Sequence, residues 1–307
     1  MNKKYIIGLS ILVVLIIGSF ILFKNKKNEV VLNDKIKVVT SFYPLYFFTS
    51  EIVGDKAVVS NITPSGAEPH EYEPTARDMA TIENSDLLIL NGGGLESWGK
   101  NIRANINGDK TKIVMAGEDL TTIALVKEEQ KVVDPHIWLS PVLAEQMIDS
   151  IESGLSQVDP NNALYYESNA KNLKEKLNVL NEEFKQGLAT CGNKNIVTSH
   201  SAFAYLAREY NFNQVSIAGL SPEEEPSSKQ MADIAKFAKE NNIKYIFFES
   251  LISPKLSETI AKEIGAQTLV LNPIEGLTED EIKSGKDYFS EMRNNLANLK
   301  IALQCTQ

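Results

Sequence analysis

The sequence predicts an α/β protein of two lobes, each with a parallel sheet of about four strands flanked by helices, joined by a long rigid helix. Three observations carry this. Eight short β-branched runs end in turn residues, four before Gly117 and four after Lys194. Stretches of helical period separate them, and strands alternating with helices form parallel sheets covered on both faces. Between the two groups, from Asp159 to about Gly187, nothing breaks a helical pattern. The expected organisation is an N-terminal anchor and tether over 1–35, a first lobe over 36–158, a linking helix over 159–190 and a second lobe over 191–307.

The first element is Tyr5–Phe23 (YIIGLSILVVLIIGSFILF), an uncharged run of 19 residues behind two lysines. As a helix it reaches about 28 Å, close to the hydrocarbon thickness of a bilayer. It exceeds the usual apolar core of a signal peptide, and no small-x-small site follows it clearly. It therefore reads as an uncleaved signal-anchor, with cleavage and secretion as the alternative. Basic flanks on both sides leave its orientation open. KNKKNEVVLNDK then serves as a polar tether.

The first-lobe strands are expected in IKVVTS (36–41), AVVSNI (57–62), DLLILN (86–91) and KIVMA (112–116). Those of the second are NIVTS (195–199), QVSIA (214–218), YIFFE (245–249) and TLVLN (268–272). Helices are expected over 75–84, 141–156, 201–210, 228–241 and 255–264. Asp159 and Pro160 read as N-cap and first residue of the linking helix. Leu173, Leu177, Leu180 and Phe184 form its apolar stripe.

The formal charge is −9, and the five lysines of residues 1–27 leave −14 on the remainder. An acidic body repels nucleic acid and draws cations. The two cysteines, Cys191 and Cys305, have no CxxC partner, so a cysteine zinc site is excluded. Outside the membrane they could pair in a disulfide closing a loop of over a hundred residues, favouring the fold by at most roughly 5 kcal/mol. The alternative is two unlinked thiols.

The chain has three histidines. His70 lies in GAEPHEYEPT after the second strand, His136 in DPHIWLSP just before a helix, and His200 ends the strand NIVTS. All three fall at loops or junctions, and ligands of open α/β sheets bind outside the carboxyl ends of the strands. A lone loop histidine is more often a surface residue than a ligand. Three of them in a chain that uses histidine nowhere else point to a shared metal, since imidazole is a common donor for zinc. Three imidazoles leave one of zinc's four positions, which a carboxylate can take. Glu275, in LNPIEGLT, stands first for it and Glu249 second, the latter equally able to orient a histidine from behind. Glu71 and Glu73 neighbour His70, but loop acids are usually solvated.

These motifs, with SFYPLYFF, TSHSAFAYLAREY and IAGLSPEEEPSSKQM, resemble those of the zinc- and manganese-binding solute receptors of bacterial ABC transporters. The likeness runs from about residue 37 to the C-terminus. It implies two α/β lobes joined by a rigid helix, metal ligation by His70, His136, His200 and Glu275, and delivery of the ion to a membrane permease from the outer face of the cell membrane. In manganese-selective members the third position is commonly a glutamate. Some zinc-binding members carry a second-lobe disulfide, which the resemblance extends to Cys191–Cys305. Two features depart from the family: the stretch before DPH has no histidine-rich loop, and no cysteine near the apolar run offers a lipid attachment.

Three imidazoles and one carboxylate favour zinc, with manganese as the alternative, because manganese prefers more oxygen donors. A zinc-dependent hydrolase is the competing class. HEYEP lacks the second histidine of HExxH, no GxSxG elbow occurs, and GGG at 92–94 matches no phosphate loop. A surface adhesin has no independent support in the residues. The expectation is a monomeric, non-enzymatic receptor without affinity for nucleic acid.

Overall fold

The structure, a computed structural model, describes residues 35–106, 108, 110–127 and 130–306. The expected anchor and tether lie outside these apart from Lys35. Among the described residues no helix is long and apolar enough to cross a membrane.

All eight expected strands are present, in two four-stranded parallel sheets. The first contains β1 (Ile36–Thr40), β2 (Ala57–Asn61), β3 (Leu87–Leu90) and β4 (Lys112–Met115), in the order β2-β1-β3-β4. The hairpin β5 (Ala124–Lys127) and β6 (Gln130–Val133) follows it. The second sheet contains β7 (Asn195–Thr198), β8 (Asn213–Ser216), β9 (Tyr245–Phe248) and β10 (Gln267–Val270), in the order β10-β9-β7-β8.

Strand alternation sets the layers. Leu87 and Ile89 of β3 face a core shared with α1 (Tyr43–Val53) and α4 (Pro141–Val158). Leu88 and Leu90 face the opposite way, onto α2 (Ala76–Glu83) and α3 (Gly99–Asn105). A strand covered on both faces reads as a continuous apolar run, as LLIL does. In the second sheet, Val197 and Ile246 pack on α7 (Ser228–Glu240) and α8 (Lys255–Ile264). Ile196 and Phe247 turn to the large core with α6 (Ala204–Glu209) and α10 (Tyr288–Ala302), the latter preceded in the chain by the short α9 (Glu279–Lys283).

The long helix α5 (Ala163–Gly187) has 25 residues and spans about 37 Å. Leu173, Leu177, Leu180 and Phe184 are buried, and the core they belong to runs without a break from the first sheet to the second. Its start differs from the expectation. Pro160–Asn162 form a 3-10 turn, and the Asp159 carboxylate caps no backbone amide. That carboxylate instead accepts from Asn162 Nδ2 and the Tyr166 hydroxyl, both at 2.7 Å, because the tyrosine seven residues on is itself buried and its hydroxyl needs a partner. The helix expected over 201–210 is likewise shorter, Ala204–Glu209: the His200 carbonyl, which would accept the first bond of the longer helix, accepts instead from Thr198 Oγ1 at 2.8 Å and Gln214 Nε2 at 2.9 Å.

Cys191 and Cys305 form a disulfide with a sequence separation of 114. It closes a short antiparallel contact in which the Thr190–Asn193 and Leu303–Thr306 backbones hydrogen-bond.

Candidate metal centre

Each candidate ligand follows the carboxyl end of a strand: His70 after β2, His136 after the hairpin, His200 after β7 and Glu275 after β10. Four remote loops therefore meet. Nε2 of His136 lies 3.1 Å from Nε2 of His70 and 3.2 Å from that of His200. Glu275 Oε1 lies 3.3 Å from the His70, 3.2 Å from the His136 and 3.4 Å from the His200 nitrogen. An ion with four tetrahedral bonds of ~2.0–2.1 Å holds its ligand atoms ~3.3–3.4 Å apart. Among the described residues, these four form the one cluster of His, Cys, Asp or Glu groups able to share an ion.

The Glu275 carboxylate decides how the cluster reads. It is 1% exposed, and neither of its oxygens makes a hydrogen bond. The imidazole contacts have the length of hydrogen bonds without their direction. A buried carboxylate left in that state is costly unless a cation completes it. Burial alone would raise its pKa; the His200 charge and then the neighbouring His136, His200 and His70 rings outweigh that and hold it well below the usual range.

Carboxylates behind two of the rings fix which nitrogen faces the centre. His136 Nδ1 is 2.7 Å from Asp134 Oδ1, and His200 Nδ1 is 2.6 Å from Glu249 Oε1. Each Nδ1–H donates outward, so Nε2 is the nitrogen whose lone pair, once free of a proton, faces the shared point. Glu249 thus stands behind His200, and the Ser199 hydroxyl donates to the same oxygen. Burial works against charge on both rings. Asp134 outweighs it at His136 and raises that pKa; Glu249 and Glu275 outweigh it at His200 and raise it further. His70 differs: its side chain is 9% exposed against 0% for the other two, and burial lowers its pKa.

The loops are tied to one another. Trp138 Nε1 donates to the Pro273 carbonyl at 2.7 Å, and the Tyr288 hydroxyl donates to the Trp138 carbonyl at 2.6 Å. The His136 and Glu275 loops are therefore one unit. Gly66 N–H donates to the Leu277 carbonyl at 3.1 Å, which fastens the His70 loop to the Glu275 loop. Ile274, beside Glu275, has φ +57°, a left-handed conformation costing on the order of 1–3 kcal/mol for a β-branched side chain.

Glu71 and Glu73 are outside the cluster; they accept hydrogen bonds from Ser221 Oγ and Ser97 Oγ, each at 3.2 Å. Glu68 is a neighbour the sequence did not single out. Its Oε1 accepts the His70 N–H at 3.0 Å, and its pKa is pushed up to about 9 by burial and then by the charge of Glu275. Glu96 was also unmarked: its carboxylate, which burial raises, accepts from Asn91 N, Gly92 N and Ser41 Oγ and so shapes the triglycine loop.

A family model described as zinc-uptake complex component A, periplasmic, matches residues 38–302. The chain belongs to that family. The family consists of substrate-binding receptors of metal ABC transporters, which act outside the cytoplasm. The high-affinity zinc uptake system protein ZnuA of Bacillus subtilis (strain 168) is 40% identical over 281 residues, covering 88% of each chain. Zinc-binding protein AdcA of Streptococcus pyogenes serotype M6 is 35% identical over 321 residues, 98% of this chain but 62% of that one. This chain thus spans less than two thirds of AdcA's length. The Zn(II)-bound ZnuA-like domain of Streptococcus pneumoniae AdcA superposes with a TM-score of 0.75 at 39% identity, covering 88% of this chain and 99% of the other.

Proposed function

We propose that this protein captures one zinc ion outside the cytoplasm and hands it to the membrane permease of an ABC transporter, with His70, His136, His200 and Glu275 as ligands. The observation that carries the reading is the buried Glu275 carboxylate, without a hydrogen bond and within 3.2–3.4 Å of three imidazole nitrogens. Donor chemistry favours zinc: three imidazoles suit a borderline ion, whereas manganese prefers oxygen. Relatives named for zinc uptake and zinc binding, and one solved with Zn(II) bound, add weight to zinc over manganese.

A receptor and a hydrolase differ at the fourth position. A hydrolase keeps it for water, whereas here Glu275 is near enough to fill it. We accordingly assign no catalytic activity. We further infer a monomer of two lobes, 36–158 and 191–307, joined by the 159–190 helix and held at the membrane surface by the 1–35 anchor and tether.

The deciding experiment is metal analysis of protein purified without added salts, followed by competitive titration with zinc and manganese. The reading expects about one zinc per chain, tighter than manganese, and lost in a His70→Ala/His136→Ala double variant. Tighter manganese, or retention of zinc by the double variant, would count against it. Glu275→Gln and Glu249→Gln separate the carboxylates: weakening by the Glu249 change alone would exclude Glu275 as the fourth ligand.

A further inference from the structure

Glu275 stands on a turn that is held in shape from outside the site. Ile274, with φ +57°, occupies a region that β-branched residues rarely adopt, so something must keep it there. Its N–H donates to Asn272 Oδ1 at 2.8 Å. Asn272 is in turn clasped by Asn295, in the middle of α10. The Asn272 N–H donates to Asn295 Oδ1 at 2.8 Å, and Asn295 Nδ2 donates to the Asn272 carbonyl at 2.6 Å. The Asn272 Nδ2 donates to Glu291 Oε2 at 3.2 Å, one turn earlier on the same helix. Asn272, Asn295 and Glu291 are all buried. In such surroundings an asparagine whose donors and acceptors are satisfied has one orientation, and losing a partner is felt in full.

We infer that Asn295 is a positioning residue for metal binding: through Asn272 it holds the strained Asn272–Ile274 turn that aims Glu275 at the three imidazoles. The inference rests on Glu275 being a ligand. Asn295 acts by fixing where the carboxylate stands, twenty residues away in sequence, through the paired backbone bonds at Asn272. A turn released from that clasp relaxes Ile274 toward ordinary backbone angles and carries Glu275 off the shared point.

A double-mutant cycle separates this from a general structural role. Zinc affinity is measured by competition for the parent, Asn295→Asp, Glu275→Gln and the double variant, with the visible spectrum of bound Co(II) reporting coordination. Asn295→Asp keeps the acceptor for Asn272 N–H but turns the donor into a carboxylate oxygen facing the Asn272 carbonyl. The expected result is a loss of about tenfold in the parent background, the size usual for partners behind a ligand. In the Glu275→Gln background the further loss should be under about twofold, because the two changes act as one unit. The Co(II) spectrum of Asn295→Asp should move toward that of Glu275→Gln. Equal losses in both backgrounds, or none in the parent, overturn the inference. Should Asn295→Asp not fold, Asn295→Gln carries the same cycle, since it keeps both amide groups and moves them one methylene away from the Asn272 backbone. If Glu275→Gln leaves affinity intact, the metal-site reading itself fails, and that outcome is visible before Asn295 is considered.

Discussion

Each histidine presents Nε2 to the same point, but the three are not equivalent. His136 and His200 are buried and backed by Asp134 and Glu249, whereas His70 keeps a little exposure. Glu249 and Glu275 hold His200 well above the ordinary histidine range against the opposing effect of burial. That environment favours the protonated ring, so with His200 as a ligand, as proposed, zinc should bind with release of a proton. Zinc affinity should rise with pH through neutrality and fall as the solution is acidified. Calorimetry at pH 7 in buffers of different ionisation enthalpy should detect protons released on zinc binding; a heat independent of buffer would contradict this. The histidines were legible in the sequence because the chain uses that residue nowhere else and puts all three at element ends. Glu275 could be put forward from its place after a strand, in the same class of position as His200. Glu249 shares that position, and only the fold puts Glu275 beside the three rings and Glu249 behind His200. Glu68 and Glu96 were not legible, because a glutamate in a polar loop carries no sign of whether the fold will bury it.

At the scale of elements, all eight sheet strands could be read from β-branched runs bounded by turn residues. Helix α1 could not: Pro44, Leu45, Phe48, Thr49 and Ile52 are buried in a segment apolar nearly all round, so it lacks the stripe that betrays a helix. The C-terminal helix α10 was not expected either, although Asp287 and Ser290, which form a capping box, mark its start. The 124–133 hairpin has no tight-turn signature of Asn-Gly or Asp-Gly type. Two predictions belong here. Trp138→Phe keeps an aromatic ring against Phe42 but leaves the Pro273 carbonyl without its donor, which should cost about 1–3 kcal/mol in denaturant unfolding. An unchanged midpoint would show that the indole bond contributes nothing. Replacing both cysteines by alanine should cost about 2–4 kcal/mol, given the long loop that the bridge closes. Because the bridge lies at the ends of α10 and the Thr190 segment, away from the ligand loops, zinc stoichiometry should stay the same. Loss of zinc by the cysteine-free variant would contradict that separation.

Across the molecule, the continuous core along α5 gives the site its setting. Two parallel sheets share that helix, so the loops at their carboxyl ends face a common region, and it is there that four distant residues meet. An acidic body suits the capture of a cation by the same electrostatics that disfavour nucleic acid. Convergence itself was inferred in the sequence from the number of histidines and their positions; the distances needed the fold. The most direct test is anomalous diffraction at the zinc edge from crystals of the zinc-loaded protein. We expect one strong peak, about 2.0–2.2 Å from Nε2 of His70, His136 and His200 and from a Glu275 oxygen. A zinc ion bound by other residues, or one leaving Glu275 beyond bonding distance with water in its place, would contradict the account.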